Sequence, residues 1–309
     1  MTDTVDKGPA PTVPPEQIKA VPVRHYGRWV AGAVVVAILV LIGIAFSNAD
    51  INYNIIPDYL TDDLILDGVW HTLYISVLAM LLGLVLGVIL AVMRMSSNPV
   101  TSTVGWFYVW FFRGTPVLVQ LLLWYNIALV FPVLNLGFYK DEMNQVMTPF
   151  LAALLGLGLN EAAYMSEIVR AGIQSVDEGQ TEASHALGMT QGKTLRRVVL
   201  PQAMRVIVPP TGNEFINMLK TSSLAYAVQF NELIKRAQDV SSTSLAVVEM
   251  YLVASIWYLI LTSVFSVGQY YLERRYARGS MRTLPLTPLQ RMRKNLHLFG
   301  SFRRPEVTR

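Results

Sequence analysis

Cysteine is absent from the 309 residues, which excludes disulfides, thiol nucleophiles and cysteine-ligated metals. Histidine is scarce, and His25, His71, His185 and His297 stand at none of the spacings a zinc site uses, so no metal site is expected. Charge is also scarce. Only 15% of residues are charged, against about a quarter in ordinary soluble domains. The shortfall collects in long uncharged runs, and together with 53% hydrophobic residues these runs suit a bilayer better than a soluble core. The net charge of +4 is modest, and its distribution is more informative than its size.

A membrane helix needs roughly 20 mostly apolar residues. Residues 29–47 are uncharged, after Arg24 and Arg28, and 69–93 are uncharged between Asp67 and Arg94. The run 104–136 is apolar except for Arg113, within Arg113-Gly114-Thr115-Pro116. Of that run, 105–112 is expected near the inner interface and 117 to about 134 in the membrane. Residues 147–173 are long enough but contain Glu161, Glu167 and Arg170; 206–219 are short and carry Pro209-Pro210, Asn213 and Glu214. The last run, 250–272, closes with Glu273-Arg274-Arg275. The expected fold is therefore all-α, a polytopic membrane helix bundle of about six spans. The alternative reading of the first run as a cleaved signal is disfavoured: its apolar stretch exceeds the usual 7–15 residues and a long polar stretch precedes it. The expected organisation is a disordered, Pro-rich leader at 1–28, an extra N-terminal span at 29–47, a core at 67–272 and a basic tail at 273–309.

Basic residues near span ends set the orientation. The segment between the first two spans has Asp50, Asp58, Asp62, Asp63 and Asp67 and no basic residue, whereas the tail has Arg274, Arg275, Arg278, Arg282, Arg291, Arg293 and Lys294. With six spans, both termini and the loop 175–201 fall on the cytoplasmic side of a plasma membrane, and Lys235 and Arg236 fall outside as a minor violation. The tail arginines read as inner-leaflet lipid anchors, not nucleic-acid contacts. Trp106, Trp110 and Trp124 read as aromatic-belt or packing residues.

The loop 175–201 carries the most specific pattern. Ser175-Val176-Asp177-Glu178 has the form of a capping box that starts a helix. Ala183, Ala186 and Leu187 fall on one face; Gly188 interrupts; Leu195, Val198 and Val199 line a second short helix that Pro201 is expected to end. On pattern alone this is either a helix that docks into a groove on a soluble partner or an amphipathic loop on the membrane surface. Gly188 to Thr194 invites a phosphate-loop reading, but three residues rather than four precede Gly192-Lys193 and a helix rather than a strand precedes the loop. The stretch is therefore read as a helix turn with an exposed lysine.

Glu182-Ala183-Ser184, then Gly188, then Val198-x-Leu200-Pro201 resembles the EAA signature of ABC importer permeases at matching spacing, with Ser184 and Val198 as size-conservative departures. Arg113-Gly114-Thr115-Pro116-Val117-Leu118-Val119-Gln120, the stretch Ala163 to Val176, and Pro209-Pro210-x-x-Asn213-Glu214 resemble the polar amino acid uptake subfamily. The resemblance covers roughly 67–272. It implies a type I permease subunit without enzymatic activity that pairs with an identical or sister permease, two ABC ATPase subunits and an extracytoplasmic substrate-binding protein. ATP would be held by the ATPase, and this chain would need no cofactor of its own. Glu182, Ala183, Ser184, Gly188, Leu200 and Pro201 would couple to that ATPase.

Charges inside a bilayer cost at least about 2.5–3.5 kcal/mol and usually face the protein interior or a water-filled path. Glu161, Glu167 and Glu214 are thus candidates to line a substrate path, with Asn213, Ser222 and Ser223 as neutral hydrogen-bonding groups. Glu161 and Glu167 are six residues apart and point to different faces of one helix. Glu167 and Arg170 equally fit a structural helical pair, and Lys220 fits either an ion pair or the outer interface. A break at Pro209-Pro210 would expose backbone groups to a zwitterionic amino acid. The rival readings are an ABC permease for another small polar solute and an ion-coupled secondary transporter. The latter more often shows an internal repeat and needs no docking loop.

Overall fold

The structure, a computed structural model, describes residues 26–276, so the expected leader and nearly all of the basic tail lie outside the described residues. The chain divides into two compact units, the first ending at Ile51. Its helix, α1 (Tyr26–Ser47), is uncharged from Trp29 onward and has no polar face, as a span requires.

The second unit begins with a short helix, α2 (Ile56–Leu60), and the long α3 (Asp63–Arg94). Asp62 starts α3 by accepting hydrogen bonds from the Leu64 and Ile65 amides, satisfying two donors a helix start leaves free. The α4 helix (Pro99–Gly114) and α5 (Val117–Tyr125) meet at a 102° bend. Strands β1 (Val133–Asn135) and β2 (Lys140–Glu142) then form an antiparallel hairpin with Leu134 opposite Asp141; a single turn, α6 (Met143–Val146), follows. Next comes α7 (Pro149–Gln174), unbroken through Glu161, Glu167 and Arg170. The loop beyond it contains α8 (Glu178–Ala186) and α9 (Gln191–Thr194), leading through a π-turn into α10 (Leu200–Thr221). A 3-10 segment, Ser222–Val228, connects to α11 (Leu233–Ser244) and the closing α12 (Val247–Tyr276).

Three of these helices, Trp29–Ser47, Asp63–Arg94 and Val247–Tyr276, are long and apolar enough to cross a membrane, and α4 with α5 makes a fourth candidate if the bent pair is one span. The α7 and α10 helices have the length but carry the polar groups that form the site below.

Small residues bring α3 and α7 together. A Cβ on Gly83 would lie 2.6 Å from Glu161 Cγ, and one on Gly87 would collide with Met165, so only glycine permits this approach. Ile75, Ala79, Leu121, Leu157, Ala225 and Val228 form one buried cluster; Ile65, Leu233, Met250 and Val253 form another.

Several local expectations are corrected. The α8 cap is Asp177, whose carboxylate accepts from the Gly179 amide; Ser175 instead ends α7 and donates to the Gly172 carbonyl. Pro201 opens α10 in its first turn, where its missing N–H costs nothing, and does not end the preceding helix. Pro209 and Pro210 lie inside α10 without breaking it, and the Pro209 carbonyl accepts from Gln269 Nε2 at 2.7 Å. The break in the bundle falls at Thr115-Pro116 instead. Lys235 and Arg236 are neutralised in place: Lys235 pairs with Asp239, and Arg236 meets Asp67 at 2.6 Å.

Candidate functional site

Between α5, α7, α10 and the 3-10 segment lies a cavity of about 580 Å³, a size typical of small-molecule sites. Glu161 and Tyr164 reach it from α7, and Glu214, Asn217, Lys220 and Thr221 from α10. Glu214, Asn217, Met218 and Thr221 follow the helical i, i+3, i+4, i+7 spacing, so one stripe of α10 forms a wall. Glu161 is only 6% exposed, and its Oε1 has no hydrogen-bond partner among the described residues. Burying a carboxylate oxygen without a partner is costly, so the group is poised to receive a donor that the fold does not supply.

A polar clasp holds one side of the cavity. The bend between α4 and α5 frees backbone carbonyls that water cannot reach at membrane depth. Gln120 Nε2 donates to the Phe112 carbonyl at 2.9 Å, to the Thr115 carbonyl at 3.1 Å and to Thr115 Oγ1 at 2.8 Å. Asn160 Nδ2 donates to the same Phe112 carbonyl at 2.8 Å and to Gln120 Oε1 at 3.2 Å. Asn160 also lines the cavity, so the bend and the cavity share a residue.

Beyond Tyr164 the acids change role. Glu167 accepts from Arg94 at 2.7 Å and from Arg170 at 2.7 Å, and lies 3.4 Å from Arg113. Arg113 stands over the Tyr164 ring, 5.2 Å from its centroid. This cluster ties together the C-terminal ends of α3 and α4 and the C-terminal part of α7.

In the loop, α8 ends at Leu187, and Gly188 turns the chain with φ +75°, a conformation glycine adopts without steric cost. The Met189 amide returns to the Ser184 carbonyl at 3.1 Å, closing the turn. Leu187 is 83% exposed at its tip, an apolar side chain without cover. Ser184 is buried, its hydroxyl donating to the Gln180 carbonyl, while Glu182 and Ala183 lie on the exposed side. Leu200 and Pro201 start α10, the helix whose Glu214–Thr221 stripe forms a cavity wall.

Of the six candidate path residues, Glu161, Glu214 and Ser223 line the cavity. Glu167 sits in the arginine cluster; Asn213 Nδ2 donates to Glu273 at 3.3 Å; Ser222 is buried and donates to the Leu219 carbonyl. Sequence reasoning missed Asn160, Tyr164, Asn217 and Gln120. The available signal was a pair of neutral amides in apolar runs, Gln120 in one and Asn160 beside Glu161 in the other.

The description of binding-protein-dependent transport system inner membrane components matches residues 83–278. The arginine transport system permease protein ArgU of Corynebacterium glutamicum is 51% identical over 284 residues, 91% of this chain and 90% of its own length. The probable glutamine ABC transporter permease protein GlnM of Bacillus subtilis is 36% identical over 216 residues, 70% of this chain and 94% of its own. Among solved structures, an amino acid ABC transporter crystallised with histidines aligns with a TM-score of 0.64 at 36% identity, over 74% of this chain and 100% of its own. An inward-facing MetNI methionine ABC transporter shares the fold, with a TM-score of 0.56 at 22% identity over 69% of this chain and 96% of its own.

Proposed function

The chain belongs to the binding-protein-dependent transport system inner membrane components, and from that premise we propose that it passes a cationic amino acid through the cavity beside Glu161. It is a multi-pass membrane permease subunit of an amino-acid importer, not an enzyme. The observation that carries the substrate assignment is the buried, unpartnered Glu161 carboxylate facing a cavity that Glu214 also lines. Two carboxylates at one cavity favour a guanidinium or ammonium group, which supplies the missing hydrogen bonds and cancels charge at low dielectric. The name of the ArgU relative is consistent with such a cargo.

The remaining roles follow from the same reading. ATP is hydrolysed by two separate ATPase subunits, a second permease completes the pathway, and an extracytoplasmic binding protein delivers the amino acid. The loop with Glu182, Ala183, Ser184 and Gly188 docks on the ATPase, with Leu187 as its apolar tip, and Leu200-Pro201 carries the movement into α10. The termini and this loop face the cytoplasm; the hairpin faces outside. Lys235 and Arg236, ion-paired to Asp239 and Asp67, stay on the outer side in this orientation as a minor departure from the distribution of basic residues.

The test is uptake into proteoliposomes containing the full importer, comparing wild type with Glu161→Gln for l-arginine, l-lysine, l-glutamine and l-citrulline. Arginine and lysine uptake should fall tenfold or more in the variant while any uptake of the neutral pair is retained. An equal loss for all four, or no loss for any, would sink the cationic assignment.

A further inference from the structure

The cavity is lined by acids and also by an exposed cation, Lys220. Lys220 lines the cavity from the last turn of α10, and among the described residues it forms no ion pair. It lies six residues beyond Glu214, about 9 Å further along the helix axis. Glu161 and Glu214 share the cavity with it, yet neither carboxylate comes within ion-pairing distance of its ammonium among the described residues. A lysine and two carboxylates facing one space would collapse onto each other if the space served only to satisfy them. Here they are held apart. Asn217, Thr221 and Ser223 provide neutral hydrogen-bonding groups in the interval. The hydroxyls of Ser223 and Thr221 cap the end of α10, donating to the Lys220 carbonyl at 2.6 Å and the Asn217 carbonyl at 3.0 Å.

Resting on the reading of the cargo as an amino acid, we infer that Lys220 receives its α-carboxylate, with the cationic side chain directed toward Glu161 and Glu214. The cavity is then dipolar in the sense its ligand requires: a carboxylate at one end, and a cationic group several bonds away at the other. A single acid–base pair in contact would neutralise itself and leave nothing for the ligand, so the separation gives the site its selectivity for molecules bearing both charges. The alternative role for a lysine near a helix end, extending its ammonium to the membrane interface, leaves ligand recognition unaffected and so is separable by experiment.

The experiment measures equilibrium binding to the full-length chain assembled with its ATPase in nanodiscs, without binding protein. The probes are l-arginine, l-argininamide (the carboxylate made neutral) and l-citrulline (the side chain made neutral). Wild type should bind arginine at least tenfold more tightly than argininamide. Lys220→Gln should bind the two with equal affinity, near that of wild type for the amide, and Lys220→Arg should restore the difference. Retained ATPase association and unchanged thermal melting of Lys220→Gln would show that the variant folds. A Lys220→Gln protein that still prefers arginine over its amide as strongly as wild type would overturn the assignment, as would a wild type showing no such preference. The citrulline arm reports on the other premise. Equal binding of arginine and citrulline would remove the cationic cargo while leaving Lys220 to be judged on the amide comparison alone.

Discussion

Asn160 donates to Gln120 Oε1 at 3.2 Å, joining two buried side-chain amides from helices 40 residues apart in sequence. Both amides also point their Nδ2 and Nε2 groups at the Phe112 carbonyl, so the bend between α4 and α5 is fastened to α7 rather than merely resting on it. Asn160→Ala removes one donor to that carbonyl and the sole donor seen at Gln120 Oε1. A loss of about 1–3 kcal/mol is expected for the acceptors left short. Thermal melting of the assembled importer should fall by several degrees, while Asn126→Ala, which removes an exposed donor to Leu122, should leave it within about 0.5 kcal/mol of wild type. Equal melting of both variants would show that the clasp carries no load.

Among the described residues, Glu167 is the only carboxylate paired with Arg94, Arg113 and Arg170, whose side chains range from 13% to 44% exposed. Glu167→Gln therefore leaves uncompensated cations, and a destabilisation of about 1–3 kcal/mol is expected, below the fully buried case because water screens part of the cluster. Adding Arg94→Gln should recover part of this loss, giving a coupling energy measurable by a double-mutant cycle on chemical or thermal unfolding. Strict additivity would argue that the contacts are incidental.

Gly188 separates backbone strain from charge. Its φ of +75° suits glycine, is tolerated by asparagine and aspartate, and is strained for a β-branched residue. Gly188→Asn should retain co-purification with the ATPase. Gly188→Asp should lose it through the added charge beside Leu187, and Gly188→Val through the turn. Undiminished association in all three variants would place the dock elsewhere.

The lack of native cysteine makes orientation directly measurable. Phe138→Cys, at the 90% exposed hairpin tip, should react with a membrane-impermeant maleimide in intact cells. Ser97→Cys, in the exposed turn between α3 and α4, should react only after permeabilisation. The reverse pattern would invert the proposed topology.

Much of this architecture was legible because the signals were local. Uncharged runs bounded by Asp67, Arg94 and Glu273 mark the long helices, and the spacing from Glu182 to Pro201 marks the loop. The division of the run between 112 and 117 was legible, but its sharp bend and what holds it were not: the feature that makes the break tolerable is Gln120 returning to Phe112 and Thr115. The hairpin at 133–142 was absorbed into the end of an apolar run, since three-residue strands leave almost no periodicity to detect. At α8 two cap candidates, Ser175 and Asp177, competed within three residues, and the end of α7 took the first. The division of the acids was beyond the sequence as well. Glu161 and Glu167 lie on one helix, and only the arrival of Arg94 and Arg113 from other helices separates the paired carboxylate from the unpaired one.

Glu161 is pressed from behind by α3, where the missing side chain of Gly83 leaves just enough room for its methylenes. The depth to which this acid projects is therefore set by a residue outside the cavity lining. Gly83→Ala would advance the carboxylate into the cavity and narrow the passage without altering any residue of its lining. The shape of this cavity is thus set by the packing behind its wall as well as by the residues on its surface.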